Sequence, residues 1–249
     1  MINNSKIILI SGCSGFLGTE LTDQLLLNNH LVIGLDKKKN KKIRSKNFYF
    51  KKIDITSEIQ VKKNINFFFK KFKKIDVVIN CATYSPYLHF SERTYKDFKK
   101  TLDINLFGPF NIIKNYYEKL IKLKINKGNI INIASIYGLL SPNFEIYENK
   151  KIINSEVYGA SKAGLIQMTK YFATILAKNN IIVNSVSPGG IKNLKTQNKK
   201  FIKNYSKHVP MKRMADLEEI VETIIFLAEM KNNYITGQNF IIDGGLSLK

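Results

Sequence analysis

The sequence predicts a doubly wound α/β fold, a parallel sheet of about seven strands with helices on both faces. Three observations carry this expectation. Short runs rich in β-branched residues alternate with longer helical patterns along all 249 residues, an order that argues for a parallel sheet covered on both sides. Several short runs are apolar almost throughout, as strands buried on both faces should be. A glycine-rich turn separates the first short run from the first helical pattern.

In chain order, strands are expected at 6–11, 31–35, 48–53, 75–80, 129–135, 181–186 and 239–243. Helical patterns fall at 16–27, 57–73, 92–124, 157–178 and 216–230. No Pro- or Gly-rich linker divides the chain and no repeat is visible, so residues 1–249 read as one domain. Two stretches break the rhythm, 136–156 and 189–212. Long connections of this kind are usually functional. Both would leave the carboxyl edge of the sheet, where ligands bind in such folds, so both are expected to be substrate-side loops.

Composition narrows the function classes. Hydrophobic residues make up 44% of the chain, enough for a real core. No apolar run reaches the roughly 18 residues needed to span a bilayer, and the start Met-Ile-Asn-Asn-Ser-Lys lacks a signal peptide's layout. Cys13 and Cys81 have no metal-ligand spacing, and neither do His30, His89 and His208. A cytoplasmic protein without metal is the reading. The net charge of +21 comes almost wholly from 37 lysines scattered over the chain, with only Arg44, Arg93 and Arg213 beside them. That pattern is a compositional bias rather than a nucleic-acid patch, because arginine is the usual base and phosphate reader. The densest run, 37–44, reads as a solvated loop with binding of an anion as its alternative.

The first expected strand runs into Ser11-Gly12-Cys13-Ser14-Gly15-Phe16-Leu17-Gly18, and a helix follows. Glycines there permit a tight turn and close backbone approach to a pyrophosphate, and the helix N-terminus offers N–H groups with partial positive charge. Gly12, Ser14, Gly15, Phe16, Leu17 and Gly18 are therefore expected to hold a dinucleotide. Asp36 ends the second strand, where a carboxylate accepts from a ribose 2′-OH and repels a 2′-phosphate. NAD is expected, with NADP the alternative because Lys37 follows directly.

Tyr158 and Lys162, in Tyr-Gly-Ala-Ser-Lys-Ala-Gly, lie one helical turn apart on one face. A fixed positive charge beside a phenol lowers its pKa and suits it to general acid–base work. Tyr95 and Tyr147 also have a lysine four residues on, so spacing alone does not single the pair out. The small residues Ala160, Ser161, Ala163 and Gly164 beside it do.

Together these features resemble the short-chain dehydrogenase/reductase family, over essentially the whole chain. Asp54-Ile55 resembles its adenine-contacting pair, and Asn80-Cys81-Ala82-Thr83 stands where the family has Asn-Asn-Ala-Gly. Asn105 in Asp-Ile-Asn-Leu-Phe-Gly, Ser135 in Ile-Asn-Ile-Ala-Ser, and Tyr158 with Lys162 match its catalytic residues. Pro188-Gly189-Gly190-Ile191 matches its nicotinamide-side loop, and the ending Asp243-Gly244-Gly245 its last strand. The resemblance implies a Rossmann-like fold and hydride transfer between a nicotinamide and a secondary alcohol or ketone. It makes Asn80, Ala82, Pro188, Gly189 and Ile191 cofactor contacts. Tyr158 would move the hydroxyl proton, Lys162 would lower its pKa, Ser135 would hold the substrate oxygen, and Asn105 would anchor a water. It also implies a homotetramer or homodimer through the Asn105 and Tyr158 helices.

The chain departs from the family at three places. Gly12, Gly15 and Gly18 are evenly spaced, Cys81 and Thr83 replace Asn and Gly, and Asn193 stands where a threonine often touches the nicotinamide carboxamide. The 136–157 connection, longer than usual, resembles insertions in members acting on surface sugars or sugar nucleotides. With Lys192, Lys195 and Lys212 near the other connection, a sugar or sugar-phosphate substrate is expected. A 3-oxoacyl thioester reductase using NADPH is the alternative within the family. A dinucleotide sensor or a nucleic-acid-binding protein is the alternative outside it.

Overall fold

The computed structural model describes residues 5–40, 43–148, 153–231 and 234–248. The first four residues, Lys41 and Lys42 of the basic run, and Lys151 lie outside them, as do residues 149 and 150 of the 136–156 connection.

Seven strands form one parallel sheet: β1 (Ile7–Ser11), β2 (Leu31–Asp36), β3 (Phe48–Lys52), β4 (Val77–Asn80), β5 (Gly128–Ile133), β6 (Ile181–Pro188) and β7 (Asn239–Ile242). Their order is β3-β2-β1-β4-β5-β6-β7. The order reverses between β1 and β4, where the strand ends splay and a ligand crevice opens. The fold class matches the sequence expectation.

The pleat sorts neighbouring apolar residues into two cores. Leu9, Ile33, Val78 and Ile130 face one side, packing on α2 (Glu58–Phe72), α4 (Gly108–Lys122) and α5 (Glu156–Leu176). Ile8, Ile10, Val32, Val77, Ile79 and Ile131 face the other, against α1 (Phe16–Leu27) and α7 (Leu217–Glu229). Consecutive residues are thus both buried, which is why β1 and β4 are apolar up to their last residue and why β5 is buried throughout, Asn129 and Asn132 included.

Two helical expectations are corrected. The single helix expected at 92–124 is broken into α3 (Tyr95–Leu102), a π-helical turn (Asp103–Phe107) and α4. Pro109, in the first turn of α4, has no N–H to give the Asn105 carbonyl, so the α-helical ladder cannot continue there. The 189–212 connection contains a helix, α6 (Lys199–His208), whose first turn is capped by Asn198 accepting from the Phe201 N–H.

Candidate active site

The carboxyl edge of the sheet carries a cavity of about 1300 Å³, running from Asp36 at one end to Tyr205 at the other. Its first end is built by the glycine turn. Gly12 has φ +75°, and a Cβ there would lie 2.6 Å from the Ala82 backbone. A Cβ on Gly18 would lie 2.0 Å from the Gly12 carbonyl oxygen. Both positions therefore need glycine to let α1 meet the turn and the turn meet β4. No side chain caps α1, so its first-turn N–H groups remain available to an anion.

The Asp36 carboxylate folds back over this turn. Its Oδ2 accepts from the Ser14 N–H at 3.0 Å and its Oδ1 from the Lys38 N–H at 3.3 Å. Lys37 turns away from Asp36 and pairs with Asp54 at 2.8 Å. Burial works to raise the Asp54 pKa, but the Lys37 ammonium and the Thr56 hydrogen bonds prevail and hold it low.

Ser155 starts α5 by accepting from the Tyr158 N–H. The Lys162 ammonium sits 5.5 Å from the Tyr158 ring centroid and donates to the Ile133 carbonyl at 2.8 Å. The small residues around the pair have a packing cause. A Cβ on Gly159 would lie 2.8 Å from the Tyr137 carbonyl oxygen, so α5 can approach the turn after β5 only without one. That turn begins at Ser135, whose Oγ accepts from the Tyr137 N–H at 3.1 Å and which lines the same cavity as Tyr158.

The electrostatics differ from the expectation that Lys162 lowers the Tyr158 pKa. Burial raises the Tyr158 phenol to about 12, against the opposing hydrogen bonds of Ser135 and Thr83. Burial also lowers the Lys162 ammonium to about 8. Desolvation disfavours the charged form of both members at once. Burial likewise pushes the Cys13 thiol up to about 12 and the Cys81 thiol to about 11, so neither is a thiolate at neutral pH.

Of the expected site residues, Gly12, Ser14, Gly15, Phe16, Leu17, Gly18, Asp36, Asp54, Ile55, Ala82, Ser135, Tyr158, Lys162, Pro188, Gly189 and Ile191 all line this cavity. Asn80 and Asn105 do not. The pleat aims Asn80 at the α5 side of the sheet, where its Nδ2 donates to Asn132 Oδ1 at 2.8 Å. Asn105 is fully buried, with its amide bonded to the Tyr84 main chain and to Ser161 Oγ. Asn193 also stays out of the cavity, because its Oδ1 caps the Lys195 N–H in its own turn. Thr196 and Gln197 line the wall instead.

The lysines near the second connection do not face the cavity either. Lys192 pairs with Asp216 at 2.7 Å, and Lys212 donates to the Lys207 carbonyl. The far end is aromatic instead, lined by Tyr87, Tyr137, Tyr147, Phe201 and Tyr205 with Met214. Tyr147 from the first connection packs against Phe201 of α6 with the rings tilted by 53° and their centroids 5.6 Å apart. Ile146, Tyr205, Val209 and Met214 form a small core beneath them. The Tyr205 hydroxyl accepts from the Gly190 N–H at 2.7 Å and so ties α6 to the loop after β6. Sequence reading missed this wall, although Asn198 followed by Phe201, Ile202 and Tyr205 is a cap followed by a helical apolar stripe.

Comparison with known proteins agrees with this geometry. A family model described as enoyl-(acyl carrier protein) reductase matches residues 34–247. The chain is 32% identical to the post-translational flagellin modification protein A of Campylobacter coli, covering 100% of both. It is 34% identical to the 3-oxoacyl-(acyl-carrier-protein) reductase FabG of Thermotoga maritima, over 78% of this chain and 75% of that one. Among solved structures, a short chain dehydrogenase from Leptospira borgpetersenii with bound NAD+ matches with TM-score 0.91 and 34% identity, covering 98% and 93% of the two chains. ElxO with NADP bound matches with TM-score 0.86 and 29% identity, over 98% and 100%. A cavity joining a glycine turn to a serine, a tyrosine and a lysine at the strand ends thus has relatives along the full length of the sheet, and the chain belongs to the short-chain dehydrogenase/reductase family of oxidoreductases.

Proposed function

We propose that the protein is an NAD-linked oxidoreductase interconverting a secondary alcohol and a ketone on an uncharged, sugar-like substrate. The observation that carries this reading is the placement of Tyr158, Ser135 and Lys162 along one cavity whose opposite end is Asp36. The uncapped α1 terminus and the glycine turn suit a pyrophosphate, and the Asp36 carboxylate suits a ribose diol. A bound nicotinamide dinucleotide would supply or take up the hydride.

The remaining chemistry belongs to the side chains. At neutral pH the Tyr158 phenol keeps its proton and can give it to a carbonyl oxygen in the reducing direction. Ser135, on the wall of the same cavity as that phenol, would hold the same oxygen and stabilise charge developing on it. Lys162 remains cationic below about pH 8 and favours the phenolate that forms.

Two features support NAD over NADP. Asp36 would face a 2′-phosphate with like charge, and Lys37 is engaged by Asp54 rather than by Asp36. The aromatic far end supports an uncharged ring over a sugar phosphate. Among the described residues lining the cavity, the cations are Lys37 and Lys38 at the Asp36 end and Lys162 at the centre. A 3-oxoacyl thioester reductase using NADPH is the second reading, favoured by the likeness to FabG.

We further infer that residues 1–249 act as one domain, with 136–156 and 189–212 forming its substrate side. The core shared by Ile146, Tyr205, Val209 and Met214 supports that pairing. The apolar residues Phe110, Ile121, Tyr171 and Ile175, exposed on α4 and α5, support a homotetramer or homodimer. The buried free thiols of Cys13 and Cys81 support a cytoplasmic location.

Fluorescence titration with NADH and with NADPH tests the reading. NADH should bind more tightly, and Asp36→Ala should weaken it by roughly 10- to 100-fold, as loss of a hydrogen bond to a charged group predicts. Preference for NADPH would move the thioester reading ahead, and binding of neither would end the oxidoreductase reading.

A further inference from the structure

Residues 81–94 join β4 to α3 and bring Tyr87 to the aromatic end of the cavity. The segment folds about Arg93, whose side chain is 3% exposed. Its Nη1 donates to the Pro86 carbonyl at 3.2 Å and its Nη2 to the Leu88 carbonyl at 2.7 Å. These carbonyls belong to the residues on either side of Tyr87. One guanidinium therefore holds both flanks of a cavity-lining residue. Its fork is planar and rigid, so the two bonds fix the carbonyls relative to each other as well as to Arg93.

The same guanidinium reaches across to α5. Its Nε lies 2.8 Å from Glu156 Oε1 but off the N–H direction, so the contact is an ion pair without a formed hydrogen bond. Glu156 is the first residue of α5, two before Tyr158. A second link joins the same two segments: Ser85 Oγ donates to Asn154 Oδ1 at 3.1 Å, and Asn154 also lines the cavity. A buried charge is costly unless it is paired. Here the pairing draws the loop that carries Tyr87 onto the start of the helix that carries Tyr158. Tyr87 itself is 56% exposed, so its own packing does little to hold it. Arg93 is not among the residues that line the cavity.

We propose that Arg93 is a positioning residue for substrate recognition, fixing Tyr87 on the substrate end of the cavity by tying the Pro86 and Leu88 carbonyls to the start of α5. Arg93 acts through Tyr87 and not by touching the substrate. The effect on turnover rests on the reading of this cavity as an alcohol–ketone site. The placement of the Tyr87 loop is separable from it.

The test is a double-mutant cycle in the full-length protein with Arg93→Lys and Tyr87→Ala. Lysine keeps a cation for Glu156 but lacks the fork that holds two carbonyls at once. Hydrogen exchange read by mass spectrometry should be roughly 10-fold faster in Arg93→Lys within 84–93 and 153–158, as loss of a hydrogen bond from a charged group predicts, with β1, β4 and α7 unchanged. Glu156→Gln, which leaves both carbonyl bonds in place, should speed exchange in the same two stretches by less, and it serves as the variant of record if Arg93→Lys does not fold. With NAD+ and a panel of sugar alcohols as probes, Arg93→Lys should raise KM for the best of them by roughly 10-fold, the size of coupling between residues that act together, while kcat and the affinity for NAD+ hold. In the Tyr87→Ala background the same substitution should leave KM unchanged. Equal effects in both backgrounds would make Arg93 merely structural and overturn the proposal, as would exchange that rises throughout the sheet or nowhere. If the wild type oxidises none of the probes, the sugar reading falls, and the exchange pattern still decides for or against Arg93.

Discussion

Lys162 should make the protein less stable near neutral pH than an apolar side chain would. Its side chain is 2% exposed and its pKa falls from 10.5 to about 8 through burial, with Cys81 opposing weakly. Above 10.5 the amine is neutral in both folded and unfolded chains, so no penalty arises. As pH falls toward 8, the unfolded lysine takes up a proton that the folded one resists, and stability is lost. Below 8 the loss is complete, and at 1.36 kcal/mol per unit it amounts to roughly 3 kcal/mol. Lys162→Met removes this penalty at similar length. It also removes the hydrogen bond to the Ile133 carbonyl, which offsets about 1–2 kcal/mol. The variant should therefore be about 1–2 kcal/mol more stable at pH 7 and should lose that advantage between pH 8 and 10.5. Urea unfolding followed by circular dichroism at several pH values measures this, with protein concentration held fixed because an oligomer's stability depends on it. Turnover should be lost at every pH. A stability difference that stays flat across this window would refute the burial argument, and a wild type more stable at pH 7 would reverse its sign.

Two further substitutions probe the site. Tyr158→Phe should lower turnover by roughly 100- to 10,000-fold, the usual worth of a positioned acid or base, while circular dichroism and the thermal midpoint show the fold retained. Tyr205→Phe deprives the Gly190 N–H of its acceptor at 2.7 Å. It should cost about 1–3 kcal/mol in urea unfolding and raise KM for the dinucleotide more than it lowers kcat, because the loop after β6 loses its tie to α6.

The strands were legible because β1, β4 and β5 lie between two cores, so neighbouring residues such as Ile8 and Leu9 are both apolar. The glycine turn was legible because Gly12 and Gly18 have backbone neighbours that exclude a Cβ. The break at Asp103–Phe107 was marked by Pro109, but a helical apolar stripe continues across it and masks the interruption. α6 was hidden for the opposite reason. Four lysines crowd its ten residues, and its apolar stripe is short because it covers a small satellite core rather than the sheet.

The chemistry divides along another line. The small residues beside Tyr158 and Lys162 single that pair out, a helical turn puts both on one face, and the family resemblance adds Ser135. Their protonation depends on how much water the fold leaves around them, and that is a property of β5, the turn after it and α5 packed together. A lysine four residues from a tyrosine predicts a lowered phenol pKa only while the lysine itself is well solvated. Here the same packing that brings the pair together removes the solvent from both, and the phenol goes up while the ammonium goes down. Groups that hydrogen-bond the phenolate then matter more than charge at a distance.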